Sequence, residues 1–169
     1  MKRIILSLVL VLAFGQVAMA QDLDKLIAEL AKVEGVTHQI VDRSTLDAAV
    51  GAGMQADSTG AASSKIPGFM KKLELIEVVA AENVQPELKN RFLEELNKFE
   101  DGSGYETLLT VKDGEDNVRI LAQRENGVVT AVIIFAIDEE DAAIVKMVGK
   151  FDQSDLTDIL NEQEKNKNK

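Results

Sequence analysis

Residues Val128 to Ile137 read VVTAVIIFAI, with Thr130 the single polar side chain in the run. Successive side chains of a strand point to opposite faces, so a strand apolar on both faces belongs at the covered centre of a sheet. Asn126-Gly127 stands directly before it. That dipeptide is a strong hairpin signal, because both central positions of a type I′ turn need positive φ. Upstream, Asn117 to Arg124 carries Val118, Ile120 and Ala122 at period two, and Tyr105 to Lys112 carries Tyr105, Leu109 and Val111. Asp113 to Asp116 reads as the turn between them. Beyond the apolar run, Asp138 to Asp141 forms an acidic turn and Ala143 to Phe151 a fourth strand. The second half of the chain is therefore expected to be a four-stranded meander.

The first half has a different period. Leu23, Leu26, Ile27, Leu30 and Val33 recur at three- and four-residue steps from Asp22 to Val33, which places them on one stripe of a helix that Gly35 stops. Val36 to Val41 reads as a short strand. Ser44, with Asp47 three residues on, opens a second helix close to a capping-box pattern, with Leu46, Val50 and Met54 on its buried side. Leu75 to Ala81 is the next strand. Pro86 then starts a helix with Leu88, Phe92, Leu96 and Phe99 on one face, and Asp101-Gly102-Ser103-Gly104 ends it. Asp152 or Ser154 caps a last helix carrying Leu156, Ile159 and Leu160, followed by a polar tail over 162–169. This order implies an α+β fold with a mainly antiparallel sheet and helices packed chiefly on one face. One domain over 21–161 is expected, interrupted by a flexible loop at 51–64 where Gly, Ala and Ser dominate.

Lys2 and Arg3, the apolar stretch Ile4 to Phe14 and Ala18-Met19-Ala20 have the three-part pattern of a cleavable signal peptide over 1–20. The apolar core is too short for the roughly 20 residues that span a bilayer. Cleavage at Ala20/Gln21 would leave a periplasmic or secreted protein. The chain has no cysteine, hence no disulfide and no site for lipid attachment, so no stable membrane anchor is expected. The net charge is −10, and loss of Lys2 and Arg3 makes it more negative. Such a surface repels a polyphosphate backbone, so no nucleic-acid partner is expected; the acidity itself serves solubility.

Candidate chemistry is sparse. His38, the single histidine, stands in step with Val36 and Ile40 with no motif supplying a nucleophile or orienting carboxylate, and reads as a structural or edge-strand histidine. Zinc sites draw on Cys and several His, which the chain lacks. Asp113, Glu115, Asp116 and Asn117 in one turn, and Asp138, Glu139, Glu140 and Asp141 in another, are oxygen-rich, yet neither has the spacing of an EF-hand loop. They read as solvated turns. Gly102 and Gly104 follow a helix and precede a strand, the reverse of a phosphate-binding loop, and Ser103 lacks the flanks of a nucleophile elbow. No residue is assigned a catalytic, cofactor-binding or metal-ligating role, and no cofactor is expected.

Several segments together resemble the family catalogued as domain of unknown function 4252. They are Leu26 and Leu30 before Glu34-Gly35-Val36, Ile40-Val41-Asp42-Arg43-Ser44 with Leu46, Leu73 to Val79, and Tyr105-Glu106-Thr107-Leu108-Leu109. Val118-Arg119-Ile120, Val128 to Phe135 and Ile144 to Gly149 with Asp152 and Leu156 continue the match. The resemblance implies an exported envelope protein of bacteria and brings no catalytic residues to carry over. Many members look like lipoproteins, and the absence of cysteine sets this chain apart from them.

The sequence thus points to an exported soluble envelope protein of unknown function, a non-catalytic binding or interaction module in envelope sensing or regulation with a protein or small-molecule partner. A carboxylate-dependent hydrolase using Glu106, Asp138 and Asp141 is the alternative, and pairing of the first or last strand between copies is a further possibility.

Overall fold

The computed structural model describes residues 23–48, 67–99 and 104–167, with side chains described through 161. The signal-peptide segment 1–20, the 51–64 segment, Val50, Met54 and Asp101 to Ser103 lie outside the described residues, as do the side chains of the 162–169 tail.

Helix α1 spans residues 23–30 and buries Leu23, Leu26, Ile27 and Leu30, the expected stripe. It ends three residues before Val33, in turns where Val33 N–H bonds back only three residues to Leu30 O, and Gly35 at φ +84° redirects the chain. Strand β1 is Val36–Asp42. Helix α2, residues 43–48, is capped by Asp42, whose Oδ1 accepts from Thr45 N–H at 2.9 Å and Ser44 Oγ at 2.8 Å. The Ser44/Asp47 capping reading is therefore corrected: Asp47 pairs with Arg43 one turn back.

After the 3₁₀ turn η1 (Gly68–Lys72) come β2 (Leu73–Ala81), α3 (Pro86–Leu96), β3 (Tyr105–Asp113), β4 (Asp116–Glu125), β5 (Val128–Ile137), β6 (Ala142–Phe151) and α4 (Gln153–Lys167). The six strands form one wholly antiparallel sheet in the order β1-β2-β6-β5-β4-β3. The fold is α+β with the four-stranded meander in place. Asn126 and Gly127 hold φ of +52° and +82°, the pair of positive values a type I′ turn requires. β5 lies between β4 and β6, buried over most of its length.

Both faces of the sheet carry helices, a correction to the expectation that they gather chiefly on one. α1 and α3 cover the face formed by Val79, Leu121, Ile133, Phe135 and Ile144. η1, α2 and α4 place Phe69, Leu46, Leu156 and Ile159 on the opposite face, against Ile120, Val132, Ile134 and Met147. The cause lies in β5: alternate residues of VVTAVIIFAI are apolar toward both sides, so each side must be covered.

α3 bridges the two ends of the sheet. From β2 to β3 is four strand spacings, about 19 Å, and a helix of 11 residues rises about 16 Å. Its last carbonyl and one just beyond the helix are met from β4, where Arg119 donates to Leu96 O and Phe99 O, both at 3.2 Å. On the other face, Asp152 and Asp155 cap α4 reciprocally: Asp155 N–H donates to Asp152 Oδ1 and Asp152 N–H to Asp155 Oδ2. Lys72 Nζ reaches both carboxylates at 2.7 Å, tying η1 to that cap. Asp155 is the sole buried charged residue among those described, and its Oδ2 accepts from both Lys72 Nζ and Asp152 N–H.

This cluster makes stability pH-dependent. The Lys72 ammonium first, then the Ser154 hydroxyl, holds Asp152 far below the usual carboxylate range, and Thr45 N–H followed by Ser44 lowers Asp42. Both contribute fully above the unfolded value near 3.8 and are lost as pH falls through the depressed folded values. Thermal melts from pH 5 to pH 2 are expected to show an Asp152→Asn variant losing less melting temperature than the parent. Parallel decline of the two would contradict that assignment.

Candidate functional site

The carboxylates of the hydrolase alternative, Glu106, Asp138 and Asp141, are not gathered at one place: Glu106 stands apart from the other two. Glu106 sits on edge strand β3 and is paired with Arg124 at 2.5 Å. Its register leads through Ala122 to Val132, six residues along β5 from Asp138, which is about 20 Å at strand rise. Asp138 and Asp141 belong to the β5–β6 turn. Asp138 Oδ1 accepts from Glu140 N–H and Asp141 N–H, and Asp141 Oδ1 accepts from Asn83 N–H. With Val84 N–H donating to Glu140 O at 2.6 Å, that acidic turn fastens the loop between β2 and α3. In the other acidic turn, Glu115 takes Lys89 of α3 at 3.0 Å. The acidic residues of both turns are exposed, as the solvated-turn reading has it, and Glu115, Asp138 and Asp141 in addition tie neighbouring segments together. Among the described residues no group of His, Asp and Glu is placed to hold a metal ion.

Carboxylates converge in neither of two clefts formed by the described residues. One of about 250 Å³ lies between the end of α3 and β3–β4, with Asn97, Lys112 and Arg119 on its wall and no acid. The other, about 430 Å³, lies by the Asn126-Gly127 turn and contains Asp152 alone of the acids, already bound to Lys72. Neither assembles a pair.

The first strand offers a different kind of site. Four consecutive residues of β1, Thr37 to Ile40, are exposed, and Ile40 retains 55% of its surface. β1 is one edge of the sheet, and its register with β2 runs unbroken from Val36↔Ala81 to Asp42↔Leu75. It has no proline, lysine or bulge to discourage a further strand. The opposite edge is managed: β3 has a bulge between Thr107 and Leu109, and it carries Glu106, Lys112 and Asp113.

His38 stands on β1 as its edge histidine and finds a carboxylate from across the ladder. Its Nε2 lies 2.9 Å from Glu77 Oε1, and Glu77 is the register partner of Ile40. The same face continues to Lys146, opposite Glu77 on β6, which bonds Asp24 of α1. A polar row thus runs from α1 to the free edge, with Ile40 at its end. His38 and Glu77 are 39 positions apart, beyond the reach of any local motif.

Comparison with the curated proteins finds no match. Residues 18–159 match the family described as Domain of unknown function (DUF4252), which covers every strand of the sheet, and the chain belongs to that family.

Proposed function

We propose that this chain is a non-catalytic interaction module of the cell envelope that binds its partner by strand addition at β1. The observation that carries the reading is the asymmetry of the two edges: β3 is bulged and charged, while β1 is regular, exposed and centred on an unshielded isoleucine. An exposed regular edge offers a row of main-chain donors and acceptors, and alternate side chains add specificity. The envelope location rests on the pattern of residues 1–20, and a role in sensing or regulation is the finer expectation that a binding module there would meet. The hydrolase alternative gains nothing from the geometry, since Glu106 and Asp138 stand about 20 Å apart along the sheet.

Cysteine-specific cross-linking in intact cells tests this reading, with the full chain carrying Ile40→Cys on β1 or Thr110→Cys on β3. The chain has no other thiol. Recovery in the envelope fraction, with adducts formed at position 40 and not at 110, is the expected result. Retention in the cytoplasm, or equal behaviour of the two positions, would overturn it.

A further inference from the structure

We infer that the strand added to β1 is β1 of a second copy of this chain, paired antiparallel about a two-fold axis at Ile40. The inference rests on the interaction-module reading and supplies its partner. An isologous contact requires a self-complementary surface, and β1 meets that condition in one register.

With Ile40 opposite Ile40, the strand VTHQIVD sets Gln39 against Val41 and His38 against Asp42 of the partner subunit, on both sides of the axis. Antiparallel partners directly opposite place their Cβ atoms about 5 Å apart. The two isoleucines would therefore cover each other, removing the largest exposed apolar side chain of the described residues from water. The imidazole and carboxylate opposite one another are a complementary pair on each flank. Asp42, which accepts from Thr45 N–H and Ser44 Oγ through Oδ1 as the cap of α2, is exposed at the end of β1 where this contact would form.

Charge explains why this segment, and no other face, serves. The chain carries a net −10, so most surfaces of two copies repel. From Val36 to Val41 β1 has no acidic or basic side chain apart from His38, and its one carboxylate, Asp42, falls opposite that histidine. The union of the two sheets would be a continuous twelve-stranded sheet whose remaining edges are the two bulged, charged β3 strands. Assembly stops there. A contact of about five residue pairs is small, so a dimer dissociating in the roughly micromolar range or above is expected.

Sedimentation of protein purified from cells expressing the full chain provides the test. The parent is expected to move from monomer to dimer with rising concentration, and Ile40→Lys to stay monomeric with an unchanged melting curve. Ile40→Cys is expected to form a disulfide-linked dimer on mild oxidation, since its thiols meet at the axis, while Val128→Cys, at the other large exposed apolar position, is not. A parent that stays monomeric, a dimer that survives Ile40→Lys, or equal cross-linking of the two cysteine variants would overturn the inference. A monomeric protein whose position-40 adduct in cells contains a different protein would overturn the second copy as occupant and leave the interaction module standing.

Discussion

Phe135→Ala is expected to lower stability by about 3–5 kcal/mol, the usual loss for truncating a buried phenylalanine. Phe135 lies on central strand β5, wholly buried, with its ring 5.5 Å from that of Phe99. Phe99 in turn meets Tyr105 edge-on at 5.2 Å and 89°. The ring therefore joins the sheet to the segment after α3, and no neighbour on a central strand can move to fill its place. Against a total of roughly 5–15 kcal/mol for a domain, the loss is severe. Guanidinium denaturation checks it. Phe135→Leu keeps most of the volume and is expected to cost less than about 1.5 kcal/mol.

Gly149→Ala is the second large effect and arises from crowding instead of a void. A Cβ at Gly149 would stand 2.4 Å from the backbone carbonyl oxygen of Lys72 and 2.9 Å from the ring of Phe151. A backbone oxygen cannot rotate away, so η1 has to shift. Overpacking of this kind costs about 1–3 kcal/mol. The shift would also disturb the ammonium of Lys72 between Asp152 and Asp155, so the capping of α4 loosens with it. Gly68, with open space where its Cβ would be, is the control: Gly68→Ala is expected to stay within about 0.5 kcal/mol. Melting curves of the two variants separate the cases.

The sequence made local geometry legible wherever the cause was local. Asn126-Gly127 announced its turn, the stripe from Leu23 to Leu30 its helix, and VVTAVIIFAI its central place. The same run also implied two covered faces, but the helix stripes did not show which face each helix would take. That choice depends on the crossing of α3 over the sheet and the return of β6 beside β2. The last strand, one candidate for pairing between copies, is for the same reason interior. Contacts such as Arg119 with the end of α3, or His38 with Glu77, join residues more than a dozen positions apart and leave no periodic trace. The candidate site was only half visible: β1 read as a strand bearing a histidine, while its position at an unprotected edge emerges from strand order alone.

The placement of β6 between β2 and β5 also governs the order in which the molecule can assemble. Val79 pairs with Ile144, so the β1–β2 ladder gains its second neighbour only after the C-terminal part of the chain is available. Closing such a long loop precedes any reward from the contact, which makes the step slow. A chain passing N-terminus first through a narrow channel would leave β1 and β2 waiting for their mate until nearly all of it had crossed. The topology that places β6 between β2 and β5 therefore makes completion of the sheet a late step of assembly, whatever the compartment.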